Sequence, residues 1–346
     1  MLRRRTVFAI LLAATLVALI RSCGIPANAP RKTPPTGTLN RISYGWEAKP
    51  NSLPWMVFII ILKEEEEVNC AGFLVDSGSE NQSDIVVTAA HCISSRTKYY
   101  SPSKVHVVLG AHELRNIEPA MVYRSVKNYA THFYNYDDDD NDITLLKLTS
   151  PVNYTKEVSP ICLPTKHTVD RVLDTCFAAG WGRTEDEPVS MVLKQTRVRI
   201  VPISYCYSIE RKHRALCIRE YYKRSTPCVG DSGGPLFCEV DGRYFAFGSL
   251  SLAPTKCAQQ DGPSGLYVRM DSYHDWILET MKLLKTSSHR SEHNVSDVNI
   301  SVNSRLTVPG LLSLVPKRDK SKSLTALELI AVLSGYHKRP NIDYYH

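Results

Sequence analysis

Ten cysteines, at positions 23, 70, 92, 162, 176, 206, 217, 228, 238 and 257, constrain this 346-residue chain more than any other feature. An even count in an exported chain reads as five bridges. Their spread from Cys23 to Cys257 suggests staples on a full-sized core rather than a small disulfide knot. No two stand in C-x-x-C spacing, which disfavours a zinc site.

Export is what the start of the chain predicts. Arg3, Arg4 and Arg5 precede an apolar stretch, Val7–Ile20, that is short for a bilayer core of ~30 Å, so residues 1–22 read as a signal peptide. An uncleaved anchor is the alternative, because no small-residue cleavage site stands out around Leu19–Ser22. No other stretch approaches spanning length, and no stable membrane span is expected. Sequons at Asn81, Asn153, Asn294 and Asn299 fit a secreted, extracellular glycoprotein.

The net charge of +7 divides unevenly. Residues 1–41 hold seven Lys/Arg and no acid, residues 42–286 hold 27 basic against 30 acidic, and residues 287–346 hold eight against five. The basic excess lies at the two ends, so net charge gives no reason to class the central block as a polyanion or nucleic-acid binder.

A Pro-rich connector, Gly24 to Thr38, gives way from Ile42 to about Lys285 to short apolar runs separated by turn residues. Trp55–Leu62, Ile85–Ala89, Val105–Leu109, Ile143–Leu148, Val198–Val201, Tyr244–Leu252 and Leu266–Val268 are such runs, the pattern of an all-β sandwich or barrel. Ser272–Leu284 differs, with Trp276, Ile277, Met281, Leu283 and Leu284 at near-helical spacing, and reads as a closing amphipathic helix. Residues 286–346 are polar and Ser/Asn-rich at first and read as a disordered extension. Within it Leu324–Leu333 could form a short helix, with no role or as a weak docking element.

Three strings hold the chemistry: Val87-Thr88-Ala89-Ala90-His91-Cys92, Asn141-Asp142-Ile143-Thr144-Leu145-Leu146 and Gly230-Asp231-Ser232-Gly233-Gly234-Pro235-Leu236. A hydroxyl is a poor nucleophile at neutral pH. Acyl transfer needs an imidazole to take its proton and a buried carboxylate to orient that imidazole. Each string supplies one such group, whereas a lone His, Asp or Ser would be unremarkable. Gly230 can turn its N–H toward a developing oxyanion, and Gly233–Gly234 leave room for a substrate backbone.

In this order the strings resemble the trypsin/chymotrypsin family of serine endopeptidases, over residues 42–285 with a further match at Cys23. The resemblance implies an all-β fold, a double six-stranded antiparallel β-barrel with a C-terminal helix and the site between the barrels. It implies His91 as general base then acid, Asp142 as its orienting partner, Ser232 as nucleophile, and the amides of Gly230 and Ser232 as oxyanion hole. Arg41-Ile42-Ser43-Tyr44-Gly45 resembles the family's activation junction, with Ser-Tyr where Val-Gly is common. Cleavage after Arg41 would free an Ile42 ammonium to pair with Asp231, leaving residues 23–41 as a propeptide. The resemblance also implies bridges Cys70–Cys92, Cys176–Cys238, Cys206–Cys217 and Cys228–Cys257, with Cys23–Cys162 tethering the propeptide; spacing alone leaves other pairings open. No cofactor and no metal are implied. The implied partners are a protein or peptide substrate, an upstream activating protease and protease inhibitors.

By the same resemblance the base of the primary pocket is Thr226. Trypsin-like members have Asp there to pair with arginine or lysine, so Thr226 disfavours a tryptic preference and efficient self-activation. Ser251-Leu252-Ala253 stands where many members read Ser-Trp-Gly: Ser251 offers a backbone carbonyl, Leu252 removes an aromatic platform and Ala253 adds a methyl. With Pro227 beside the base and Gly265 opening one wall, a medium apolar side chain such as Leu, Met or Phe is expected at the cleaved position.

Two acidic runs, Glu64–Glu67 and Asp137–Asp140, read as a field favouring basic flanking residues or as solvated loops. A calcium loop is disfavoured because Ala111 stands where the family has a carboxylate. The leading reading is a secreted serine endopeptidase made as a zymogen. The alternatives are a catalytically silent homologue acting as a partner-binding module and a membrane-tethered protease.

Overall fold

A computed structural model describes residues 23–35, 45–63, 67–137, 141–169, 175–184, 187–206, 214–222, 225–254, Cys257 and 265–286. The signal segment, Arg41, Ile42, Asn294, Asn299 and Leu324–Leu333 lie outside the described residues.

Strands β2 (Met56–Leu62), β3 (Glu67–Val75), β4 (Gln82–Thr88), β5 (Val105–Leu109), β6 (Val122–Thr131) and β7 (Thr144–Asn153) close an antiparallel barrel in the order β2-β3-β4-β7-β6-β5. A short helix, α1 (Lys166–Val169), leads to the second barrel. There β8 (Cys176–Gly180), β9 (Lys194–Val201), β10 (Ala215–Glu220), β13 (Gly265–Arg269), β12 (Arg243–Leu252) and β11 (Pro235–Val240) form a ring that β8 closes onto β9. A two-residue strand, β1 (Trp46–Glu47), adds to β9, and α2 (His274–Thr286) ends the described fold.

β2 explains why its sequence is apolar throughout. Alternate side chains of a strand face opposite sides. Val57, Ile59 and Ile61 fill the interior of the first barrel, while Met56, Phe58 and Ile60 join a core shared by the two barrels. Across that joint Phe58 meets Trp181 edge-on at 5.7 Å and Trp55 meets Phe237 at 5.6 Å. Such aromatic pairs add about 0.5–1.5 kcal/mol beyond their burial.

α2 presses Ile277, Met281 and Leu284 into the shared core. The expected helix face is corrected at one residue: Leu283 points to solvent at 39% exposure, and Thr280 is buried instead. Ser272 lies in a 3-10 turn, Asp271–Tyr273, ahead of α2.

The N-terminal segment is docked. Cys23 is bonded to Cys162, the Gly24 amide donates to the Pro160 carbonyl while its own carbonyl accepts the Tyr244 amide, and the Gln195 side chain donates to the Arg31 carbonyl at 2.8 Å. Lys32 pairs with Glu239 at 2.8 Å. The other bridges are Cys70–Cys92, Cys176–Cys238, Cys206–Cys217 and Cys228–Cys257.

Candidate active site

β4 ends at Thr88, and the chain turns into a 3-10 segment, His91–Ile93, which Cys70–Cys92 ties back to β3. Thr88 of β4 is paired with Thr144 of β7, so the residues flanking that pair, His91 and Asp142, meet at one end of the barrel. The His91 amide donates to Asp142 Oδ1 at 2.9 Å, and its Nδ1 lies 2.7 Å from Asp142 Oδ2. An ionised carboxylate only accepts, so that contact places the ring proton on Nδ1 and leaves Nε2 as the basic nitrogen. Asp142 is fully buried and the imidazole is 26% exposed, which protects the orienting contact while leaving the ring open to a substrate.

A third bond to Asp142 comes from Ser251, whose Oγ donates to Oδ2 at 2.6 Å. The pairing of β12 with β13 runs Leu250↔Tyr267 and then Leu252↔Leu266, leaving Ser251 as an extra residue. Such a bulge re-aims a side chain, and here it accompanies the reach of Ser251 to the carboxylate of the other barrel. Beyond it Leu252 packs with the cluster of Cys206, Cys217 and Leu266.

Ser232 sits in the turn before β11 and crosses to the first barrel through its carbonyl, which accepts the Ala71 amide at 2.8 Å. Cys92 Sγ lies 3.7 Å from that carbonyl and 3.9 Å from His91 Nε2, so the serine backbone and the imidazole edge flank one sulfur. The turn demands glycine at two places. Gly233 has φ +79°, and a Cβ there would stand 2.1 Å from Thr88 Oγ1 and 2.4 Å from the Ala71 carbonyl. Gly230 has φ +96°, and a Cβ there would stand 2.6 Å from Asn69 Nδ2. Among the described residues no acceptor takes the amides of Gly230 or Ser232.

The family model named Trypsin matches residues 42–277. The chain belongs to the trypsin family and is a serine-type endopeptidase. It is 32% identical over 257 residues to Granzyme H of Homo sapiens, which covers 73% of this chain and 95% of that protein. Duodenase-1 of Bos taurus is also 32% identical over 257 residues, covering 72% of this chain and 93% of its own.

In this trypsin-family chain Asp231 is buried beside Ser232. Its Oδ1 accepts the Gly182 amide at 2.8 Å and its Oδ2 the Cys228 amide at 2.9 Å. Burial pushes its carboxyl up to about 6, against the downward pull of those amides, and no cation faces it among the described residues. A Cβ at Gly180 or Gly182 would collide with the carboxylate, at 2.0 Å from Oδ1 and 2.6 Å from Cγ respectively. Gly180-Trp181-Gly182 is thus the cradle of Asp231, and its paired glycines were the available sequence signal for it. Ser251 Oγ had no such signal, because a bulge arises only on strand pairing.

Thr226 is buried, and its Oγ1 has no hydrogen-bond partner among the described residues. Gly265 opens β13, where a Cβ would meet Leu250 and Tyr267 at 3.3 Å and Ile218 at 3.4 Å. Pro227 is buried, and Ala253 leans on the cluster of Ile218, Leu250 and Tyr267. A cleft of about 720 Å³ lies elsewhere: Arg31, Pro35, Trp46, Arg115, Glu187 and Lys194 are among the residues that line it. It bears no residue of the His91 site. Pro35 and Trp46 do bracket the stretch that contains Arg41 and Ile42.

The loop after β5 is closed by Glu118, whose carboxylate accepts the amides of His112 at 3.2 Å and Glu113 at 2.9 Å. With Ala111 buried at the loop's start, this donor set does not fit calcium. Cys70, His91 and Cys92 lie within ligand reach of one another, but the two sulfurs are bonded together and offer no thiolate. Asn81 and Asn153 are exposed, at facing ends of β4 and β7.

Proposed function

We propose that this endopeptidase works through His91, Asp142 and Ser232, and that it is exported as a precursor cut between Arg41 and Ile42. His91 Nε2 takes the Ser232 Oγ proton as that oxygen attacks the peptide carbonyl, then returns it to the leaving amine. Asp142 keeps Nδ1 protonated and stabilises the imidazolium. The amides of Gly230 and Ser232 receive the oxyanion, for which neither amide must surrender a protein acceptor. The observation that supports this reading best is the 2.7 Å contact of His91 Nδ1 with a fully buried carboxylate.

Activation follows from the cost of burying Asp231. A freed Ile42 ammonium is the cation that carboxylate lacks, and pairing would hold the Gly230–Gly234 turn in place. The bridge from Cys23 to Cys162 keeps residues 23–41 attached after cleavage, as a light chain. An uncharged Thr226 and apolar neighbours favour a medium apolar residue such as Leu, Met or Phe at the cleaved position, so a separate protease with basic specificity makes the activating cut. The exposed sequons and five bridges suit an extracellular, glycosylated protein.

Peptide-library cleavage by the protein cut at Arg41, beside its Ser232→Ala variant, tests the nucleophile and the pocket. Turnover after Leu, Met or Phe that disappears in the variant is the expected result. Faster cleavage after Arg overturns the pocket assignment, and turnover that survives in the variant overturns the nucleophile.

A further inference from the structure

β9 and β10 hold an arrangement that peptide hydrolysis does not use. Arg199 and Arg219 stand directly opposite each other across the two strands. Like charges in that position destabilise a sheet. Neither guanidinium is paired with a carboxylate among the described residues; Arg199 donates only to the Glu220 carbonyl, at 3.3 Å. Arg197 lies two residues before Arg199, hence on the same face of β9.

Two exposed tyrosines hold these side chains. The Arg197 guanidinium is 4.1 Å and that of Arg199 5.5 Å from the Tyr221 ring centre, while that of Arg219 is 6.0 Å from Tyr205. Tyr221 is 42% and Tyr205 57% exposed. Stacking on a ring limits the rotamer freedom that an arginine loses on binding an anion. The three stems root about 7 Å apart along β9 and about 5 Å apart across to β10. Averaged over the central block this cluster vanishes, because acidic runs elsewhere offset it.

We propose that the solvent face of β9 and β10 binds a linear sulfated polysaccharide. The guanidinium fork matches a sulfate through two N–H donors. A sheet face without a cleft gives a single small anion little purchase, whereas a chain of sulfates engages several arginines at once. Nucleic acid fits less well: single strands bind by stacking bases on aromatic faces, and the Tyr221 face is occupied by Arg197. An acidic peptide would gain no strand pairing, because β9 and β10 are already hydrogen-bonded to each other at this point.

The test measures binding of the full-length chain to heparin over a range of salt, with Arg199→Ala/Arg219→Ala against Lys156→Ala/Lys282→Ala. The control pair removes the same charge from exposed sites away from this face. The arginine variant is expected to bind about tenfold more weakly at physiological salt and to lower the slope of log affinity against log salt by about 2, with the control unchanged. Unchanged peptide turnover by both variants, once cut at Arg41, certifies their folding; a thermal midpoint serves the same purpose if turnover is absent. Equal loss in the two variants overturns the site. Equal affinity for desulfated heparin, polyglutamate or an oligo-dT of matched charge overturns the ligand class.

Discussion

Asp142 shows how one residue gathers a site, because three hydrogen bonds from two barrels converge on its carboxylate. Ser251→Ala removes one of them and loosens the orientation of the imidazole. It is expected to lower kcat about tenfold with KM nearly unchanged, measured with a peptide substrate of the cut enzyme. Asp231 makes a prediction in pH. Its carboxyl rises from 3.8 to about 6 on folding, so the folded uncut chain holds its proton more tightly than the unfolded chain. Stability of the uncut chain therefore falls as pH rises from about 4 to about 6, by about 3 kcal/mol in all. On the activation proposed above, the Ile42 ammonium would offset that cost in the cut enzyme, and chemical denaturation of the two forms across this range should diverge as pH rises. Asp231→Asn in the uncut chain should flatten the curve; a curve that keeps its slope would refute the assignment. The meeting of His91 with Asp142 was legible because each stands in a short string shaped by the chemistry it would carry, and Ser232 stands in a third such string. Ser251 was not legible as a side-chain donor, since its direction depends on a bulge.

Among the elements, the Gly230–Gly234 turn tolerates least. Gly233→Ala forces a methyl against the Thr88 hydroxyl and the Ala71 carbonyl at positive φ, and should cost more than about 3 kcal/mol in denaturant titration. The loop after β5 makes an opposite case, being closed by its own carboxylate. Glu118→Ala should cost about 1–2 kcal/mol because two amides lose their acceptor, and calcium added to the unaltered protein should leave its melting temperature unchanged. Val105–Leu109 was legible as a strand from end to end, and β9 and β12 in their apolar parts. β8, β10 and β11 escaped because cysteines, glycine and charged residues interrupt their apolar pattern, and they are strands through their neighbours in the ring. The face of α2 was misread at Leu283 because apolar residues at both 283 and 284 fit the helical period, and only packing decides between them.

At the scale of the molecule, Cys23–Cys162 joins a docked N-terminal segment to the first barrel's exit. After cleavage at Arg41, Cys23→Ser should release a free light chain on non-reducing electrophoresis, while the unaltered protein migrates as one species. The released form should also be less stable, by about 2–4 kcal/mol. The amino-acid sequence alone was enough for the family, the all-β class and an even set of cysteines, because these depend on local pattern and on residue types that chemistry requires. Tertiary structure decided which glycines cradle Asp231, that Ser251 turns to Asp142, and that three arginines share one face. Those are contacts between residues distant in the chain, and their geometry exists only once strand register has placed them side by side.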